Sequence, residues 1–493
     1  MRELRNEDVR RKRRVTSPHV GEIRRPTYWS INGFNPYHVR SKARSIVRAV
    51  NLALRSGNYS PRAPLAHEVK KASGGSRTVS IFQIVDSVIS REIFKSLSSK
   101  NRALMSARSY AYRDDLSTHD AIQYISSEFR TAERLFIAEY DFSSYFDSIS
   151  HDHLWNVLEE QEFLMTKLER EVIRAFLDVA AEEEASYGKH PRRSRGQFGV
   201  PQGTSLSLFL ANVAAWHMDR SLEKLGVGFV RYADDTLIWS QDYGQINAAV
   251  NVLKRESLRI GASMNAKKSE GVRLFAEPGQ RSEIRSTDTV SFVGYRFTRN
   301  GVGLNRAVEV RIKRRLEYLV WSNLLQALQQ GTFSKGRVAP PIDRDYIVLL
   351  GQIRRYLYGH YSETKVRELE RGAAKRVRFP GILSYFPLAS DQTQLAALDG
   401  WLASTILQAM KKRADLLKST GVSSLPHPHG LSKQDLIGAT GSRTDGTLVD
   451  LRIPSISRFV SILRRAANAF GANAVGRGTG AEQYQYALSD MNY

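Results

Sequence analysis

The sequence predicts an α+β protein built on a small, mostly antiparallel sheet and followed by a predominantly helical C-terminal part. Three observations carry that prediction. The middle third alternates β-prone runs with helical ones, as in "ERLFIAEYDFSSYFDSISHDHLWNVLEEQ". Residues 229–240, "FVRYADDTLIWS", read as a hairpin interrupted by two adjacent aspartates. From about residue 305 the pattern turns helical, as in "RAVEVRIKRRLEYLVWSNLLQAL" and "LAALDGWLASTILQAMKKRADLL".

Taken in order, residues 1–60 form a basic leader with one amphipathic helix expected around 38–55. Over 61–133, "HEVKKASGGSRTVSIFQIVDSVISREIFKSL" predicts strand, Gly-Gly turn, strand and helix. Next come a buried strand ending at Asp141 and a helix opening at Ser150, whose hydroxyl suits an N-cap. His151 and His153 then belong to a helix start, not to a metal pair. A long helix over "LMTKLEREVIRAFLDVAAEEEA" leads to the basic loop "YGKHPRRSRGQFGVPQGT" and the apolar helix "SLSLFLANVAAWHMDRSLEKLG". Beyond the aspartate hairpin follow the helix "GQINAAVNVLKRESLRIG", the loop "ASMNAKKSEGV" and a small hairpin near "TVSFVGYRFTRNGVG". The helical remainder divides near 380, and its Gly-rich end, "GANAVGRGTGAEQYQY", reads as a flexible tail.

Bulk properties narrow the partner. Lys and Arg number 73 against 50 Asp and Glu, a net charge of +23. Such an excess suits a polyanion, nucleic acid before membrane, because neutralised phosphates release condensed counterions. Cysteine is absent, which excludes disulfides, thiolate zinc sites and cysteine nucleophiles. The first residues, "MRELRNEDVRRKRR", are charged without an apolar signal core, and no apolar run reaches a membrane span. A cytoplasmic protein is expected.

Within an apolar, β-prone run an unpaired carboxylate is costly to desolvate. Asp234 and Asp235 are explained either by a turn, which Asp tolerates, or by a metal site at the hairpin tip. Asp141 ends a second β-prone strand far upstream. Carboxylates from two neighbouring strand ends suit hard divalent cations, Mg²⁺ above all, completed by substrate phosphates.

Successive segments resemble the motifs of reverse transcriptases from about Lys70 to Phe297. "KKASGGSRTVSIFQIVD" resembles the fingers motifs of bacterial and group II intron enzymes, and "YAYRDDLSTHDAI" the segment after them. "DFSSYFDSISHDHL" is similar to motif A, "GVPQGTSLSLFLANV" to motif B and "YADD" to motif C. "MNAKKS" resembles motif D, and "FVGYRF" the primer-grip turn. The resemblance implies a right-hand polymerase. Its fingers would occupy 61–133, its palm 134–300 with inserted fingers elements at about 160–200, and its thumb 301–380. A helical extension would fill 381–493.

Site roles follow from the same resemblance. Asp141, Asp234 and Asp235 would be catalytic, with the Phe142 backbone carbonyl helping to hold two Mg²⁺ ions, for which Mn²⁺ can substitute. Phe146 would exclude a 2′-hydroxyl, favouring dNTPs; its alternative is a core aromatic. Arg77 and Lys71 would meet the triphosphate, or belong to an exposed basic strand face. Gln202 would lie by the incoming nucleotide, with Gly199 and Gly203 admitting the substrate closely. Lys268 would be a general acid, or a solvated loop lysine. Tyr232, Gly294, Arg311, Lys313, Arg314 and Arg315 would contact primer and template. Leu208 where relatives carry proline, Phe82 and Ser87 depart from the family's usual pattern.

The layout resembles the bacterial unknown-group and abortive-infection reverse transcriptases of phage defence more than a complete group II intron or retron enzyme. That implies an RNA template, expected to be noncoding, a DNA product, and homo-oligomerisation as in some members. Tyr484, Tyr486 and Tyr493 are candidates for protein priming, or part of an ordinary polar tail. The rival from another class is a catalytically idle nucleic-acid-binding or toxin module.

Overall fold

The computed structural model describes residues 26–70, 75–132, 134–189, 191, 193–265, 269, 271–277, 282, 284–338, 341–359, 361–372, 377, 381–471 and 474–475. These fall into two compact units, 26–121 with 132–288, and 122–131 with 289–475.

The first unit opens with a two-stranded ribbon, β1 (Leu65–Lys70) against β2 (Ser76–Ile81). Its main sheet is built from β3 (Leu135–Tyr140), β5 (Gly228–Tyr232), β6 (Asp235–Ser240), β8 (Val272–Phe275) and β9 (Ser286–Thr287), in the order β5-β6-β3-β8-β9. All its pairs are antiparallel except the short β8–β9 contact. Strand β3, "LFIAEY", is central and buried along nearly its whole length, which is why it reads as a continuous apolar run. Ile137 and Ala138 of β3 and Leu237 and Ile238 of β6 are fully buried. Each large aliphatic side chain so buried contributes about 1.5–3 kcal/mol. A minor ribbon joins β4 (Phe142–Ser143) to β7 (Ser263–Met264).

The helices keep their sequence signals. Ser150 caps His151–Glu160, accepting from the His153 amide at 3.4 Å. His151 and His153 turn their Nε2 atoms to the carbonyls of Gly199 and Ala214, at 2.8 and 2.9 Å, so both are structural. The long helix expected from 164 to 185 is shorter, Lys167–Asp178. A capping box of Thr166 and Glu169 fixes its start. Its expected end is extended instead, because Ala180 bonds the Arg193 carbonyl and Glu182 bonds both Pro64 and Ala66. The apolar helix after the basic loop breaks at Ala215 into Ser205–Ala214 and Trp216–Leu225.

The second unit holds a three-stranded sheet where a hairpin was expected: β10 (Val290–Phe292), β11 (Tyr295–Thr298) and β12 (Gly301–Leu304). Helices Arg306–Leu324, Arg344–Tyr358, Gln392–Ser419 and Ile456–Phe470 pack around buried Ile312, Leu349, Leu402 and Phe459. Buried Arg413 donates to Asp343 at 2.7 Å, to Asp345 at 2.8 Å and to the Leu324 carbonyl at 2.6 Å. The C-terminal region is not purely helical, since β13 (Thr440–Ser442) pairs with β14 (Leu448–Asp450). Among the described residues no helix is long and apolar enough to cross a membrane.

Candidate active site

The pair Tyr232–Asp235 closes the β5–β6 hairpin, so Ala233 and Asp234 alone form its turn. Asp234 therefore sits at the tip, and Asp235 begins the outgoing strand. Ala233 adopts φ +61°, a left-handed conformation costly for a residue with a Cβ. Strands β3 and β6 pair up to Tyr140–Thr236, and the next residue on each is Asp141 and Asp235. Two strand ends thus deliver three carboxylates to one corner of the sheet.

That corner is electrostatically crowded. Asp234 is half-buried and its pKa is raised to about 7, first by burial, then by Asp235 and Asp141. The protonated Asp234 carboxyl can hydrogen-bond Asp141. Asp141 itself is buried; its carbonyl accepts from the Asn265 amide at 2.8 Å and its Oδ2 from Asn265 Nδ2 at 3.4 Å.

Behind the turn lies Arg231, only 1% exposed. Its Nε and Nη2 donate to the two oxygens of Asp219 at 2.7 and 2.6 Å. Nη1 donates to Asn212 Oδ1 at 3.2 Å and to the Ala233 carbonyl at 3.0 Å, and Nη2 also reaches Ser109 Oγ at 2.7 Å. Every guanidinium N–H is thereby used. The strained turn is pinned from within by a cation already neutralised by Asp219.

The other candidates sort into three groups. Phe142, Phe146, Gln202 and Tyr232 share this unit with the carboxylates. The Phe142 ring stacks on Tyr145, 5.4 Å between centroids, and its backbone pairs with Met264. Half-buried Phe146 meets Tyr112 and Tyr145 edge-on at 6.4 and 6.0 Å. Gln202 Nε2 donates to Asp147 Oδ2 at 3.0 Å, and its carbonyl accepts from Ser80 at 2.6 Å. Arg77 lies on the exposed half of β2.

Gly294, Arg311, Lys313, Arg314 and Arg315 belong to the second unit. Gly294 takes φ +82° in the β10–β11 turn. Lys313 is engaged by Glu309 at 2.6 Å and lies 5.6 Å from the Trp401 ring. Arg315 lies over Tyr318 at 5.4 Å. Lys71, Lys268, Tyr484, Tyr486 and Tyr493 fall outside the described residues.

The glycines of "GVPQG" stand where the protein's own backbone comes close. A Cβ on Gly199 would stand 2.9 Å from the Asp147 carbonyl, and one on Gly203 2.3 Å from that of Ser80. Their demand for space comes from the protein's own backbone. Sequence reading passed over Arg231, Asp219, Asp147 and Asn265. Arg231 did carry a signal, a second charge within the same apolar run as the aspartates.

The donor set fits a hard cation: oxygen ligands only, crowded until one carboxyl tends to keep its proton. Among the described residues no group of three or more acidic or histidine side chains forms a finished metal cage. Mg²⁺ commonly takes one or two carboxylates and leaves the remaining positions to water and phosphates.

Residues 69–297 match the reverse transcriptase (RNA-dependent DNA polymerase) family. The chain is 26% identical over 239 residues to the group II intron-encoded protein LtrA of Lactococcus lactis subsp. cremoris, covering 48% of this chain and 37% of LtrA. It is 29% identical over 161 residues to an uncharacterized 91 kDa protein in the cob intron of Schizosaccharomyces pombe, covering 32% of this chain and 18% of that one. It thus spans well under half the length of these curated relatives. Among solved structures, a telomerase from Candida albicans in complex with a telomeric RNA fragment aligns with a TM-score of 0.41 at 14% identity, over 78% of this chain and 68% of that one. In residues 69–297 the chain carries a reverse transcriptase domain.

Proposed function

We propose that the protein is an RNA-directed DNA polymerase that adds dNTPs to a primer end by divalent-metal nucleotidyl transfer. The observation that carries this reading is the meeting of Asp141, Asp234 and Asp235 at adjacent strand ends, inside the region that matches the family. Asp141 and Asp234 would hold two Mg²⁺ ions, with Asp235 and the Phe142 carbonyl in support. Two such ions supply an activated attacking oxygen and neutralise the departing pyrophosphate.

The chain's own groups set geometry and selectivity. Arg231 fixes the turn on which Asp234 rides. The Phe146 ring, braced by Tyr112 and Tyr145, would crowd a 2′-hydroxyl and so favour dNTPs. Gln202, held by Asp147, would border the nascent pair. Residues 61–133 would act as fingers, 134–300 as palm and 301–380 as thumb. Exposed Arg311 and Arg314 would contact the duplex backbone without reading sequence.

The finer reading is cDNA synthesis on a dedicated noncoding RNA in bacterial phage defence. Its support is layout: a matched polymerase core followed by a large helical region running to residue 470. The test is primer extension on RNA with dNTPs or NTPs, with sequencing of nucleic acid co-purified from the native locus. Mg²⁺-dependent DNA product that Asp234→Asn abolishes supports the polymerase. No product with either nucleotide set sinks it. Bulk cellular RNA instead of one enriched species sinks the dedicated-template reading alone.

A further inference from the structure

Beside Gln202 the first unit contains a cleft of about 240 Å³, lined by Thr78, Ser80, Asp147, Ser194, Arg195 and Gln202. Its unusual member is Arg195. Nε of Arg195 is buried without a hydrogen-bond partner. Among the described residues no carboxylate closes a salt bridge with it. Burial pushes its pKa down, while Asp147 acts in the opposite direction from beyond contact distance. Asp147 is already occupied by Gln202.

Arg195 is half-buried, and a guanidinium N–H shut off from water without an acceptor is costly; native structures seldom keep one that serves nothing. Nor is this a loop free to swing away. The Arg195 amide bonds the Asp178 carbonyl at 2.8 Å, and the Ser194 hydroxyl donates to Asp178 Oδ1 at 2.7 Å. Ala180 is tied to the Arg193 carbonyl at 3.1 Å. On the opposite wall Ser80 is tied to the Gln202 carbonyl at 2.6 Å. Both walls are anchored, so the cation is held facing a polar space.

We propose that this cleft binds a nucleotide phosphate, with Arg195 as its anion contact and Asp147–Gln202 as its opposite wall. A guanidinium offers the planar donor pair that phosphate oxygens accept, and the hydroxyl-bearing walls suit an ester-linked phosphate. The proposal rests on the polymerase reading for its ligand. The phosphate belongs either to the strand being copied or to the incoming dNTP.

The full-length protein, with Arg195→Met and Arg195→Lys, is tested by binding of a labelled RNA–DNA primer–template, by dNTP binding to that complex, and by melting. Arg195→Met should weaken one of the two affinities about tenfold to a hundredfold, and Arg195→Lys should restore part of it. Arg195→Met should melt no lower than wild type, because the buried N–H it removes has no partner to lose. Weaker primer–template binding, with a salt slope shallower by about one, assigns the phosphate to the strand. Weaker dNTP binding alone assigns it to the nucleotide. Both affinities within about twofold of wild type overturn the proposal, as does a lower melting temperature with unchanged binding. Neither measurement needs turnover. If wild type makes no DNA yet Arg195→Met still loses affinity, the cleft stands and the polymerase reading falls.

Discussion

The β5–β6 hairpin turns at Ala233–Asp234 and the β10–β11 hairpin at Val293–Gly294. Each places a non-glycine residue in the left-handed region at the first turn position, with φ +61° and +44°. The second turn is held by packing. A Cβ on Gly294 would meet Phe386 at 3.2 Å and Val308 at 3.3 Å, and the Gly294 carbonyl accepts from Asn305 at 3.0 Å. The first is held by the buried Arg231 knot. Apolar packing is sufficient where the turn carries no charge. Beside Asp234 the protein uses a cation, yet commits that cation to Asp219. The hairpin gains a rigid backbone from a cation whose charge is already committed to Asp219.

The most damaging change to this contrast is Asp234→Asn. DNA synthesis should fall by at least about a thousandfold, roughly 4 kcal/mol of barrier, while metal-free melting stays level or rises because crowding is relieved. A variant retaining a tenth of the activity would remove Asp234 from the chemistry. Next in size is Arg231→Met, which strands buried Asp219 and should cost about 3–5 kcal/mol of stability. Adding Asp219→Leu should return most of the melting temperature without the activity, since the Ala233 carbonyl still lacks its donor. Wild-type turnover by the double variant would show that the knot is only packing. In the other hairpin, Gly294→Ala should cost about 1 kcal/mol or more through its positive φ and tight neighbours. A neutral result by chemical denaturation would mean that Phe386 and Val308 yield.

The sequence disclosed the carboxylate corner because each piece announces itself locally. Asp141 ends an apolar strand, and Asp234 and Asp235 break another. The antiparallel neighbourhood of β3 and β6 follows from two strands that each must be buried. What stayed hidden depends on distant partners. Arg231 meets Asp219, Asn212 and Ser109 from separate segments, and no spacing rule joins them. Local helical pattern likewise overstated the helix ending at Asp178, because the following residues bond Pro64, Ala66 and Arg193 instead. The glycines flanking Gln202 were legible as close approaches, but what approaches them is the Asp147 and Ser80 backbone.

The mildest test of the comparison is pH. Only the β5–β6 turn carries a perturbed carboxyl, Asp234, raised from 3.8 to about 7 by burial and then by Asp235 and Asp141. Between those values the folded state holds a proton that the unfolded chain has released. Metal-free stability should therefore decline as pH rises from about 4 to about 7 and level off above that. Asp234→Asn should flatten this part of the slope, and so should saturating divalent cation, which supplies the charge that the proton otherwise provides. Gly294→Ala should lower the whole curve without changing its shape, because no titrating group sits in that turn. Melting curves of the three proteins across this range, with and without metal, are the measurement. An unchanged slope in Asp234→Asn would place the crowding elsewhere than at the hairpin tip.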